Sequence, residues 1–84
     1  MKHFVFWFPS ADKRLQEIFA ASEDKQALAR TIKEIDRWLT KHPKEFGESR
    51  YENIRIAFHS PLGVLYEILD GPPTVIVLDI WATK

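Results

Sequence analysis

The sequence predicts an α+β domain in two layers: a helical hairpin packed on one face of a mostly antiparallel four-stranded sheet, in the order βααβββ. Three observations predict it. The last third of the chain, Tyr51 to Ala82, holds three apolar-rich runs separated by the turn signals Ser60-Pro61-Leu62-Gly63 and Asp70-Gly71-Pro72-Pro73, the pattern of a three-stranded meander. The middle of the chain, Asp24 to about Lys41, carries Leu28, Ile32, Ile35 and Leu39 at steps of four, three and four, the stripe of an amphipathic helix. The opening run, His3 to Phe8, is aromatic-rich and apolar on both parities apart from His3, which reads as one more strand.

Each element follows from its own residues. Pro9-Ser10 ends the first strand, and Ser10 or Asp12 is placed to cap a helix. From Ala11 to about Ala21, Leu15, Ile18 and Phe19 make one apolar stripe. Ser22-Glu23-Asp24 breaks that helix and caps the next. Trp38 flanks the second stripe, Lys25, Lys33, Glu34 and Arg37 lie mostly off it, and Pro43 stops the helix. So short a connection predicts an antiparallel hairpin. Lys44 to Ser49 reads as a polar connection with Gly47 as its flexible point. The first strand, apolar on both sides, is expected beside the last strand with both faces partly covered.

Within the meander, period-two alternation divides the side chains. Ile54, Ile56, Phe58, Val64, Tyr66, Ile68, Ile76, Leu78 and Ile80 are expected to form the apolar face under the helices. The other face then mixes Arg55, His59, Glu67 and Asp79 with Leu65, Val75, Val77 and Trp81. Tyr66 is expected in the core with its hydroxyl at the core's edge.

Composition bounds what such a domain can do. With 84 residues the chain is a single domain, and six Phe, three Trp and two Tyr make a core feasible. There is no Cys, hence no disulfide and no thiolate metal site. No apolar run approaches the length of a membrane span or of a signal-peptide core, so a soluble cytoplasmic protein without membrane association is expected. Lys and Arg number 12, as do Asp and Glu, so the bulk field does not steer the chain toward nucleic acid.

No phosphate-cradling glycine loop, zinc helix motif or nucleophile elbow occurs, and His3, His42 and His59 lack ligand spacing. No metal or cofactor is expected. The polar positions of the mixed face are the one constellation. Arg55, Glu67 and Asp79 fall on successive strands and His59 at a strand end, so His59 could serve as general acid or base and Arg55 as a phosphate contact. A cross-strand ion-pair ladder is the plainer account of the same residues. Arg50 and Arg55 flank the start of the meander and could contact phosphate, or pair with Glu48, Glu52 or Glu67. Leu65, Val75, Val77 and Trp81 would make an apolar patch away from the helices, where Glu67 and Asp79 border it; such a patch marks a partner site or a dimer face.

The order of elements, with the string from Ile54 to Trp81, resembles the RelE/ParE toxin superfamily. Arg55-Ile56-Ala57-Phe58 fits that family's first meander strand, Val64-Leu65-Tyr66-Glu67-Ile68-Leu69-Asp70 its second, and Val75 to Trp81 its third. The resemblance spans nearly the whole chain. It implies a toxin-like protein of a type II toxin–antitoxin system, held inactive by an antitoxin. Relatives of the RelE type cut mRNA in the ribosome, and ParE-type relatives poison DNA gyrase.

Against that pattern the catalytic set is sparse. Arg55 is present, but Ala57 stands where ribonuclease members carry a basic residue, Gly63 lies where an arginine opens the second strand, and only Lys84 follows Thr83 at the end. The neutral charge also departs from the family's basic character. The leading expectation is therefore a toxin-like protein that acts mainly through protein–protein contact, with an antitoxin, a gyrase-like target or a second copy as partner. The alternative is a ribosome-dependent mRNA endonuclease, in which Arg50, Arg55 and Lys84 hold phosphate and His59 moves the proton. A third reading is a family member that has lost its activity.

Overall fold

Helix boundaries in the computed structural model, which describes residues 2–83, fall where backbone chemistry permits them. Strand β1 (Phe4–Trp7) runs directly into helix α1 (Pro9–Ala21). Pro9 occupies the first helical turn, where its missing N–H costs nothing. The capping position is Phe8, with no side-chain bond, so neither Ser10 nor Asp12 caps this helix; both lie inside it. Helix α2 (Lys25–Lys41) starts as the sequence indicates: the Asp24 carboxylate accepts from Ala27 N–H at 3.0 Å. It ends at His42, and Pro43 opens a short helix α3 (Pro43–Phe46).

The remaining elements are strands: β2 (Glu48–Tyr51), β3 (Ile54–His59), β4 (Leu62–Asp70) and β5 (Pro73–Ala82). They form a five-stranded sheet in the order β1-β5-β4-β3-β2. The meander is antiparallel, and β1 adds to β5 in parallel, beside the last strand as expected. The fifth strand corrects the expected four. Glu48–Tyr51 is exposed at every position, so it buries no face and carries no apolar alternation to announce it.

The register also corrects the expected faces. The turn between β3 and β4 leaves only Ser60 and Pro61 unpaired, because His59 pairs with Leu62. Odd positions of β3 therefore share a face with even positions of β4: Arg55 with Tyr66, and Ala57 with Val64. The turn before β5 is equally tight, pairing Asp70 with Pro73, which aligns Ile68 with Val75 and Tyr66 with Val77. Then β5 carries one extra residue, Leu78, and the next pairs are Leu65 with Asp79 and Val64 with Ile80. The bulge thus brings Val75, Val77 and Ile80 to one face despite their different parity.

That face is the core. Leu62, Val64, Tyr66, Val75, Val77 and Ile80 are fully buried against Leu28, Ile35 and Leu39 of α2 and Ala11 of α1. Ile54, Ile56, Phe58 and Ile76, expected under the helices, lie on the opposite side of the sheet, paired with Glu67, Leu65, Gly63 and Phe6 respectively. Strand β1 is not covered on both faces either. Val5 and Trp7 pack on the core, while Phe4 and Phe6 are 63% and 59% exposed. Among the described residues no helix is long and apolar enough to cross a membrane.

Candidate functional site

Two regions carry the residues of interest: a polar and aromatic cluster where β3 meets α2 and α3, and the sheet face turned away from the helices.

Arg55 enters the first from the middle of β3. Its cross-strand neighbour is Tyr66, and its guanidinium donates twice to the Gly47 carbonyl, from Nε at 3.2 Å and from Nη2 at 2.7 Å. The fully buried Tyr66 donates its hydroxyl to the Pro43 carbonyl at 2.6 Å. Burial pushes the Tyr66 phenol above its ordinary value, and the Arg55 guanidinium beside it pulls partly back. Gly47 is the residue that lets these groups meet. A Cβ there would lie 2.5 Å from the Ile56 carbonyl oxygen and 2.9 Å from the Tyr66 hydroxyl. Arg55 and Tyr66 thus fasten the corner between α3 and β2 onto the sheet.

His59 ends the same strand. Its Nε2 lies 2.7 Å from Oε1 of Glu34, a residue of α2, and both side chains are partly exposed. Phe46 of α3 sits at the centre of the aromatic packing. It stacks on Trp38 at 5.5 Å and 10°, lies near-parallel to Tyr66 at 6.2 Å, and meets the His59 ring edge-to-face at 6.3 Å. A histidine held by a carboxylate can give or take a proton, with the carboxylate fixing the ring. Four residues of strand, roughly 13 Å, separate His59 from Arg55 along β3.

The structure does not assemble the constellation of Arg55, His59, Glu67 and Asp79. Arg55 and His59 face the helices, whereas Glu67 pairs with Ile54 on the other side. The Asp79 carboxylate lies 3.8 Å from Arg14 Nε of α1 and also accepts from Ile80 N–H. Arg50 is exposed on β2, at the irregularity between Ser49 and Tyr51, and Lys84 lies outside the described residues. Val75 and Val77, expected in the exposed patch, are core residues with no exposure. Glu34 was not indicated by the sequence. It stands 25 residues from His59, and its one signal was its place off the α2 stripe. Among the described residues, no three His, Asp or Glu side chains converge as a metal site would need.

The second region is a face the helices leave open. Across it run rows of paired residues: Glu48, Ile56, Leu65 and Asp79 in one; Tyr51, Ile54, Glu67, Ile76 and Phe6 in the next. A third row is Phe58, Gly63 and Trp81. The Trp81 indole occupies the space above Gly63, where a Cβ would come within 2.5 Å of the ring, and Phe58 meets it edge-on at 6.2 Å. Phe58 is 61% exposed. Leu65, Glu67 and Trp81 of the expected partner patch lie on this face and are half-buried.

No family model matches the chain, and no curated protein matches it in sequence. Solved structures do match its fold. A chain of the toxin–antitoxin complex RelBE2 from Mycobacterium tuberculosis superposes with a TM-score of 0.79 at 20% identity, covering 100% of this chain and 95% of that one. The conserved hypothetical protein HP0892 from Helicobacter pylori matches with a TM-score of 0.61 at 15% identity, covering 95% of this chain and 93% of that one. The fold expected from the resemblance in the sequence is therefore the fold the chain shares with these structures.

Proposed function

We propose that this chain is a toxin-like protein of a type II toxin–antitoxin system, working in the cytoplasm, and that it acts mainly through protein–protein contact. The observation that carries the reading is the open sheet face, where Phe4, Phe6 and Phe58 are each about 60% exposed on a small chain. The fold supports it, because a protein of the same fold is solved as part of a toxin–antitoxin complex. The partner is an antitoxin chain, a gyrase-like target or a second copy. The test is co-expression with the product of the adjacent gene, followed by affinity capture and mass measurement by light scattering. The expected result is a stable complex of defined stoichiometry. A strict monomer with no affinity for that product overturns the reading.

A second reading, a ribosome-dependent mRNA endonuclease, is favoured by the His59–Glu34 pair. In it His59 moves the proton and Glu34 orients the ring, while Arg55 and the exposed Arg50 hold phosphate. Primer-extension mapping during expression decides it: new mRNA ends that vanish with His59→Gln support it, and unchanged transcripts exclude it.

A further inference from the structure

The two edges of the sheet are finished differently. Strand β2 carries Glu48 and Arg50 and an irregularity between Ser49 and Tyr51, devices that keep an edge from pairing with another chain. Strand β1, Phe4-Val5-Phe6-Trp7, has no charge, proline or bulge, and among the described residues no strand lies beyond it. Its free backbone groups can be assigned. The Phe8 N–H donates to the Val77 carbonyl at 2.9 Å, so the even residues of β1 turn their N–H and C=O groups toward β5, while Val5 and Trp7 turn theirs to the open edge. Further along, the His3 N–H donates to the Thr40 carbonyl at 2.7 Å, where the end of α2 closes the edge. The N–H and C=O groups of Val5 and Trp7 are thus presented in a row.

We infer that β1 pairs antiparallel with β1 of a second copy, about a two-fold axis at Phe6, joining the two sheets into one. The backbone selects that register. Side chains opposite one another share a face, so Phe6 must meet an even residue. An axis at Val5 would set Trp7 against His3 of the second copy, where α2 already holds the edge. An axis at Trp7 would set Val5 against Pro9, which has no N–H to give. The axis at Phe6 sets Val5 against Trp7 of the second copy and Trp7 against its Val5, which pairs every free group of the strand and leaves the His3–Thr40 bond intact. On the open side the same register sets Phe6 against its own equivalent and Phe4 against Phe8, whose backbone is still extended.

A foreign extended strand could use the same backbone groups. The uncharged edge holds nothing that would choose its sequence, whereas β1 meets in itself a strand of equal length with a matching row of rings. The exposed Phe4, Phe6 and Phe8 leave roughly 350 Å² of ring surface in water per copy, so a pair covers up to roughly 700 Å² besides backbone. That is the small end of specific interfaces, and it makes the dimer a reversible one. The inference takes one partner of the contact reading, a second copy, and assigns it to an edge.

Sedimentation of the native chain, from micromolar to near-millimolar concentration, is expected to show a monomer passing into a dimer and no larger species. The register is read with cysteines, which the native chain lacks. Phe6→Cys lies on the axis in a non-hydrogen-bonded pair, with Cα atoms about 4.5 Å apart and within reach of a disulfide. Mild oxidation is expected to link that variant into dimers, and to link Phe4→Cys or Phe58→Cys roughly tenfold less. Phe6→Glu sets like charges opposite each other and is expected to give a folded monomer, and mixing it with Phe6→Lys is expected to restore the dimer. A native chain that stays monomeric at the highest concentration, or equal linking through Phe58→Cys, overturns the inference. Should Phe6→Glu fail to fold, the native sedimentation and the cysteine comparison still decide. A chain that is monomeric alone yet captured by the adjacent gene product ends this inference and leaves the contact reading standing. A dimer that binds no such product keeps this inference and removes the antitoxin from the other.

Discussion

At the scale of single residues, close approach between backbone and side chain fixes what two glycines must be. Gly63 gives its space to the Trp81 indole, and an added methyl would lie 2.5 Å from the ring. Gly63→Ala is expected to displace the indole, break its contact with Phe58 and destabilise the chain by about 1–3 kcal/mol. Urea unfolding followed by tryptophan emission measures both effects. Tyr66 makes a different kind of prediction. Removing its hydroxyl strands the Pro43 carbonyl in the interior, so Tyr66→Phe should cost about 1–2 kcal/mol. Its titration has a definite sign. The folded chain keeps the Tyr66 proton above the ordinary value of 10.0, where the unfolded chain releases it. That contribution to stability is fully present below pH 10 and is lost as pH rises through the folded pKa. Unfolding curves collected from about pH 9 to pH 11 should therefore fall more steeply for the native chain than for Tyr66→Phe; parallel curves would remove Tyr66 from the account.

At the scale of elements, the helices were legible and the sheet only half so, for physical reasons. A helical stripe is a local pattern, and Leu28, Ile35 and Leu39 are buried where the stripe put them. The cap of α2 was equally local, and Asp24→Ala is expected to cost about 1 kcal/mol. Ser10→Ala, inside α1, should change stability by less than about 0.5 kcal/mol, the size of an ordinary surface substitution. Thermal unfolding of the two variants side by side checks the contrast. Sheet faces are not local in this sense. Alternation tells which residues of one strand travel together, but turn length decides which set of the next strand joins them. Here two tight turns and the Leu78 bulge sent Ile54, Ile56 and Phe58 outward and Val75 and Val77 inward. That error dispersed the expected polar constellation and hid Glu34, whose meeting with His59 depends on how α2 crosses β3. The bulge can be tested directly. Deleting Leu78 leaves Tyr66 opposite Val77 and Leu65 opposite Asp79, now with plain alternation and Ile80 still facing the core, so the variant is expected to keep cooperative unfolding, whereas deleting Asp79 as well turns Ile80 outward and should abolish it. Loss of cooperative unfolding on deleting Leu78 alone would show that the bulge itself, and not only the register beyond it, is required.

At the scale of the whole molecule, the two sides of the sheet make opposite demands on any activity. The helix side is committed to structure: the Arg55 guanidinium is bonded to Gly47 and His59 to Glu34, and between them Phe46 joins the rings into one packed group. The open side exposes Phe4, Phe6 and Phe58, and no helix of the described residues covers it. An activity that works by contact should depend on the second and tolerate change in the first. Two substitutions, one at half-buried His59 and one at exposed Phe58, separate these cases. His59→Gln keeps a group able to hydrogen-bond Glu34 but removes acid–base chemistry. Phe58→Asp adds a charge at a position 61% exposed. With expression alone arresting growth, the contact reading expects His59→Gln to remain as toxic as the native chain and Phe58→Asp to restore growth while still accumulating as soluble, folded protein. The reverse result, relief by His59→Gln and none by Phe58→Asp, would move the activity to the β3–α2 junction and make the nuclease reading the stronger one. Relief by both would mean that the two sides act together, with the open face holding the target and His59 acting on it.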